Sequence, residues 1–132
     1  MLMLNIITKE VNQNVLNMTL VMIVAIKIYG GIYMEIYYEV NGKRGNRIKM
    51  NDNYAELIVT YKGEDIAYKI DIADIVIVIQ HQWGFHTQGY NCVRTGDRGP
   101  NLEGTLLNIY NGRFEHINGD NYDCRRANLR VL

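Results

Sequence analysis

The sequence predicts an α+β fold that is mostly antiparallel β, with a short helix near residues 71–82. β-branched residues and ten tyrosines dominate much of the chain, which is typical of strands. Twelve glycines and a single proline divide it into short segments. Because 48% of the 132 residues are apolar, the chain can build one hydrophobic core, and a disordered chain is excluded.

Each predicted strand is bounded by a turn signal. Asn41-Gly42 is a strong hairpin signal and precedes a basic loop over residues 43–47. Alternation within residues 54–61 places Ala55, Leu57 and Val59 on one face of a strand. The predicted strands cover residues 18–40 with a break at Gly30-Gly31, residues 47–50, 54–61 and 66–70, and then residues 89–95 and 104–110.

Residues 71–82 carry two conflicting signals. Asp71, with Asp74 three residues later, resembles a helix N-cap followed by an acidic first turn. The run of alternating Ile and Val over residues 75–79 instead has the strongest strand propensity in the chain. Local sequence therefore leaves both a helix and a strand open.

Charge and cysteine content argue against several classes of protein, although a neutral protein can still carry one basic edge. Fourteen Lys+Arg balance fourteen Asp+Glu, whereas general nucleic-acid binders usually show a basic excess. Cys92 and Cys124 are too few for a disulfide scaffold and are not spaced as a zinc knuckle, so a reduced, cytoplasmic setting is expected, with their disulfide state open. The apolar run over residues 15–26 is too short and too polar to span a membrane.

The most informative segment is residues 115–130, which read Glu-His-Ile-Asn-Gly-Asp-Asn-Tyr-Asp-Cys-Arg-Arg-Ala-Asn-Leu-Arg. It resembles the phage and homing-type branch of the HNH (His-Me finger, ββα-metal) endonuclease family. Upstream features agree in order, namely a strand over residues 52–57, a Lys-Gly turn, a helix that begins at Asp71 and ends at Trp83, and a strand that begins with Gly89-Tyr90. The resemblance therefore extends over residues 46–132. Residues 1–45 fall outside the resemblance and are expected to be an N-terminal β region of undefined status. The resemblance also favours a helix over residues 71–82.

The resemblance implies roles for individual residues around one Mg²⁺ or Mn²⁺ ion. His116 corresponds to the general base, and Glu115 corresponds to a metal ligand that is usually aspartate. Asn128 corresponds to the asparagine that braces the loop, and Asp123 would bond Arg126 there. The arginines expected to contact phosphate or a partner are Arg94, Arg113, Arg125, Arg126 and Arg130.

Two departures from the family pattern argue against cleavage. The histidine that family members carry in the first strand of the motif is replaced by Leu107, or by Asn108 in a shifted register. The helix that supplies a second metal ligand is missing after Leu132. We therefore expect an HNH-like ββ unit over residues 104–132 that lacks its last helix and holds no metal stably.

Three functional hypotheses follow. The first is a phage or mobile-element protein with a DNA-facing surface and weak or no nuclease activity. The second is a catalytically inactive phage inhibitor that binds a host nuclease or other defence protein, of the anti-CRISPR type. The third is a Mg²⁺- or Mn²⁺-dependent DNA nickase that uses His116 and borrows ligands from a dimer partner.

Overall fold

A five-stranded antiparallel sheet forms the centre of the computed structural model, which describes residues 20–31, 33–86, 92–95 and 99–132. The strands lie across the sheet in chain order, so each is hydrogen-bonded to its neighbours in sequence. They are β1 (Val21–Tyr29), β2 (Tyr33–Val40), β3 (Lys43–Met50), β4 (Ala55–Tyr61) and β5 (Glu64–Ile70).

Short elements follow the sheet. Two further antiparallel pairs, β6 with β7 and β8 with β9, each form a small sheet of two strands. No helix in the part of the chain that the structure describes has the length and apolar character to cross a membrane. The elements are a 3₁₀ turn (Ile72–Asp74), α1 (Ile75–Val78), β6 (Gly84–His86), β7 (Cys92–Arg94), α2 (Leu102–Leu107), β8 (Phe114–His116), a second 3₁₀ turn (Arg126–Asn128) and β9 (Leu129–Val131).

The predicted α+β class is wrong, because the described chain is mostly antiparallel β and its α-helices have only four and six residues. The predicted HNH-type unit over residues 104–132 is not shown either, since α2 stands where the sequence predicts a strand over residues 104–110. Asn101 starts this helix by accepting a hydrogen bond from the Gly104 N–H at 2.8 Å. Asn108 ends it in a left-handed conformation with φ 55°.

The segment predicted as a helix over residues 71–82 is helical only from Ile72 to Val78. Asp71 makes no side-chain capping bond, and its carboxylate instead accepts the backbone N–H of Arg126 at 2.9 Å. Without that cap, and with β-branched residues throughout, a longer helix has little local support. The strand that the Ile and Val run favours does not form, and the helix is only one 3₁₀ turn and one α-helical turn long.

Two tight turns set the register of the sheet. Asn41 and Gly42 have φ values of 51° and 78°, and Lys62 and Gly63 have 53° and 79°. Positive φ at both central residues defines the type I′ turn that suits the twist of a hairpin. The basic loop predicted over residues 43–47 is part of β3, because the first of these turns ends at Gly42.

One face of the sheet packs the core. Leu57 and Val59 of β4 are buried as predicted, and α1 contributes Val78 to the same cluster. Trp83 is buried there too, and its indole N–H donates to the Val78 carbonyl at 2.9 Å. The domain boundary expected between residues 45 and 46 falls inside β3, whose hydrogen bonds join residues on both sides of it.

The opposite face carries a row of alternating charge across all five strands. Lys27, Glu35, Lys49, Glu56 and Lys69 each stand directly opposite the next member on the neighbouring strand. Opposite charges in facing positions stabilise a strand pair by roughly 0.2–1 kcal/mol. The row therefore fixes the same register that the turns fix and leaves the face polar and nearly neutral.

Gly45 is a position where the sheet has no room for a side chain. A Cβ atom built there would lie 2.3 Å from the buried ring of Tyr38, whose hydroxyl donates to the His81 carbonyl at 2.7 Å. Gly45→Ala is expected to lower the free energy of unfolding by about 1–3 kcal/mol. The Tyr38 ring cannot move aside easily, because its hydroxyl is hydrogen-bonded and its other end is attached to β2. Urea denaturation measures this, with Gly84→Ala as control, since its new Cβ meets only His86 at 3.7 Å. Equal losses in the two variants would contradict the prediction.

Candidate functional site around His116

The residues around His116 come from three separate segments. Helix α2 presents Glu103, β8 ends at His116, and the loop that leads to the second 3₁₀ turn carries Cys124. Leu102 and Leu106 lie four positions apart on α2 and are both buried, which fixes how the helix faces the core. This packing places Glu103 beside the end of β8.

Alternation along β8 separates Glu115 from His116. Glu115 stands opposite Arg130 of β9, and the Arg130 guanidinium donates two hydrogen bonds to its carboxylate. The His116 imidazole turns towards α2, with Nε2 3.4 Å from the Glu103 carboxylate. Neighbouring strand residues point to opposite faces, so the two side chains cannot share one cation.

Asn128 braces the loop that joins β8 to β9. Its side-chain N–H groups donate to the Asn118 side-chain oxygen and the Asp123 carbonyl, both at 2.9 Å. Its own side-chain oxygen accepts the backbone N–H of Asn118 at 2.9 Å. These three hydrogen bonds tie the two sides of the loop together at Asn128.

The same loop is fastened to the edge of the main sheet. Lys69 of β5 donates its backbone N–H to the Tyr122 carbonyl and accepts the Cys124 N–H, each at 2.7 Å. Between them lies Asp123, a buried carboxylate that Arg125 holds through two side-chain hydrogen bonds of 2.9 and 2.8 Å. These hydrogen bonds lower the pKa of Asp123 to about 2, so the carboxylate is charged at neutral pH.

Arg126 connects the loop to the segment that follows β5. Its guanidinium donates to both carboxylate oxygens of Asp74 at 2.9–3.1 Å, and the Asp74 side chain is only 4% exposed. The resemblance implies a bond between Asp123 and Arg126, but the structure pairs Asp123 with Arg125 instead. The two adjacent arginines thus serve two different aspartates.

Glu103, His116 and Cys124 bring a carboxylate oxygen, an imidazole nitrogen and a sulfur within 4.8 Å of one another. The Cys124 sulfur lies 3.8 Å from His116 Nε2, the same nitrogen that faces Glu103. Burial raises the pKa of the Cys124 thiol far above its usual range, and the Glu103 and Asp123 carboxylates raise it further. With no cation bound, this free thiol is protonated and is a poor nucleophile.

The arginines expected to contact DNA or a partner are in different situations. Arg125, Arg126 and Arg130 each form an ion pair with a carboxylate of the same chain. Arg113 is exposed and has no ion-pair partner among the residues that the structure describes. The side chain of Arg94, on β7, lies outside the described part of the structure.

The Mg²⁺ or Mn²⁺ ion that the resemblance implies does not fit Glu115 and His116 as they are arranged. Magnesium prefers nearly six oxygen ligands around one point, whereas the Glu115 oxygen is engaged by Arg130 on the far face of the hairpin. The sequence did not single out Glu103, which lies between the strands predicted over residues 89–95 and 104–110, and it gave Cys124 no role in a site. Asn101 three residues before Gly104 is the capping signal that would have placed Glu103 on a helix.

Comparisons with known proteins assign neither a family nor a function to this chain. No family of proteins, no curated protein and no solved structure matches this chain.

Proposed function

We propose that this chain is a DNA-binding protein that resembles HNH endonucleases and does not cleave DNA. The proposed lack of cleavage rests on one observation, which is that the Glu115 and His116 side chains lie on opposite faces of β8. A base that activates water must lie within hydrogen-bond reach of that water beside the scissile phosphate. His116 instead faces Glu103 and Cys124, and its side chain is only 9% exposed.

DNA binding is supported by the sixteen-residue resemblance and by the exposed cations near the C-terminal hairpin. Arg113 lies just before β8 and is exposed, so its guanidinium is available to a phosphate. The Arg130 side chain is 60% exposed and retains N–H donors beyond those that contact Glu115. Arginine donates in a planar fork that suits phosphate oxygens.

Duplex binding can be measured by fluorescence anisotropy as salt is raised. We expect binding at low salt that weakens steeply with added salt, since cations on the protein displace counterions from DNA. Arg113→Ala should weaken binding several-fold for every sequence and reduce the salt slope by about 1, the signature of one lost phosphate contact. Lys62→Ala, which removes an exposed cation from the β4–β5 turn, is the control. Absence of binding by the wild-type protein at low salt would refute DNA binding.

A plasmid-nicking assay separates this proposal from the nickase. We expect no nicking with Mg²⁺ or Mn²⁺, and no difference between the wild-type protein and His116→Ala. Metal-dependent nicking that disappears in His116→Ala would instead support cleavage chemistry at His116.

A second candidate is an inhibitor that docks on a host defence protein. It is favoured by the intramolecular pairing of Arg125, Arg126 and Arg130, which leaves fewer cations for phosphate. Pull-down from a host lysate tests it. A partner that stays bound after nuclease treatment supports the inhibitor, and one that is lost with the nucleic acid supports DNA binding.

A further inference from the structure

The cluster of Glu103, His116 and Cys124 has the spacing of a metal site. In tetrahedral Zn²⁺ sites with bonds of about 2.0–2.3 Å, ligand atoms lie roughly 3.3–3.7 Å apart. The carboxylate oxygen and His116 Nε2 are 3.4 Å apart, and Nε2 and the Cys124 sulfur are 3.8 Å apart. The oxygen and the sulfur lie within 4.8 Å of each other, a separation that a small rotation of the Glu103 side chain can shorten.

The contacts of the imidazole argue against a catalytic triad. In a Cys-His-Glu triad the thiol and the carboxylate contact different ring nitrogens, so that one orients the ring and the other exchanges a proton. Here Glu103 and Cys124 both face Nε2. One nitrogen cannot serve both partners with a single hydrogen, whereas a cation between the three atoms satisfies all of them.

We propose that Glu103, His116 and Cys124 bind Zn²⁺ as three protein ligands of a tetrahedral site. Sulfur and imidazole nitrogen are ligands that Zn²⁺ favours and Mg²⁺ does not. Cys124 binds as a thiolate whose proton leaves to solvent, and water fills the fourth position. The inference does not depend on DNA binding, because none of the three ligands is an arginine of the proposed DNA surface.

The site joins helix α2 to the β8–β9 hairpin and to the loop of that hairpin. Glu103 belongs to α2, His116 ends β8, and Cys124 lies in the loop fastened to β5. The His116 and Glu103 side chains are 9% and 15% exposed, so the cluster lies just below the surface and Glu103 is the more accessible of these two ligands. A bound Zn²⁺ therefore holds α2, the hairpin and the loop together as a structural ion.

Titration of the full-length protein with Co²⁺ and then Zn²⁺ tests the site. We expect one equivalent of Co²⁺ to produce thiolate-to-metal charge-transfer absorption and the intense visible bands of tetrahedral coordination, both removed by Zn²⁺. Glu103→Gln should weaken Zn²⁺ binding by about 100-fold or more, since loss of an outer-shell partner alone typically costs 10–100-fold. Cys124→Ala should abolish the charge-transfer band.

Two matched controls make the assignment specific. Glu115→Gln changes the carboxylate next to His116 that lies outside the cluster, and Cys92→Ala removes the other cysteine of the chain. Both should bind as the wild-type protein does. A wild-type protein without the charge-transfer band would overturn the proposal, as would a loss of Zn²⁺ binding in Glu115→Gln with none in Glu103→Gln. If Cys124→Ala does not fold, the wild-type spectrum and Glu103→Gln decide the outcome.

Discussion

Asn128→Ala is expected to lower the free energy of unfolding by about 2–3 kcal/mol, because it removes three hydrogen bonds at once. Asn128 is buried, and the Asp123 carbonyl it serves is buried with it, so that oxygen would be left without a donor. Asn118 lies nearer the surface and can exchange its lost bonds for water. This difference keeps the expected loss below the sum of three buried bonds.

Urea denaturation followed by circular dichroism measures the loss. Asn121→Ala is the matched control, because Asn121 is an exposed asparagine of the same loop. We expect the control to change stability by less than about 0.5 kcal/mol, as exposed substitutions generally do. Similar losses at Asn121 and Asn128 would show that the network around Asn128 does not hold the loop.

Arg126→Ala is expected to lower the free energy of unfolding by about 3 kcal/mol, because it leaves the buried Asp74 carboxylate without its ion-pair partner. Arg126 is itself 47% exposed, which places the cost at the lower end of the range for buried pairs. The more exposed counterpart is the Arg130–Glu115 pair, whose side chains are 60% and 42% exposed, and Arg130→Ala should lower the free energy of unfolding by less than about 1 kcal/mol.

A double-mutant cycle gives the sharper measurement for this pair. Asp74→Ala combined with Arg126→Ala removes both charges. The double variant should therefore lose clearly less free energy of unfolding than the sum of the losses in the two single variants. Strict additivity would mean that the two side chains do not interact energetically. It would also remove the reason to expect a difference between Arg126 and Arg130.

Local sequence located the five strands of the sheet, although β3 begins at Lys43 and not at residue 47. The Asn41-Gly42 signal is a type I′ turn, and the predicted alternation in β4 buries Leu57 and Val59. Such features depend on neighbouring residues alone, namely on φ preferences and on the period of two in a strand. The row of alternating charge was not recognised, because it exists only once the register of five strands is known.

The helices were predicted poorly because they are short and depend on distant contacts. Asp71 has the identity of a helix cap, yet its carboxylate is taken by Arg126, 55 residues later. Residues 104–110 contain β-branched and aromatic residues, yet the Asn101 cap and the burial of Leu102 and Leu106 select a helix. A single cap and two buried leucines outweigh propensities that differ by well under 1 kcal/mol per residue.

The residues that surround His116 could not be predicted from the sequence. Resemblance singled out His116, Glu115 and Asn128, and the contacts of Asn128 agree with a bracing role. Which residues face His116 depends on the packing of α2 against the hairpin. Glu103 is thirteen positions away in sequence, so no local pattern joins it to His116.

The order of strands in the sheet has a consequence for folding kinetics. Each strand pairs with the next along the chain, and two of the connecting turns are only two residues long. The bonds between Arg126 and Asp74 span 52 residues, so forming them costs more loop-closure entropy than pairing two strands across a short turn. The sheet can therefore form before the C-terminal segment docks, and changes at Arg126 or Asn128 should accelerate unfolding more than they slow folding.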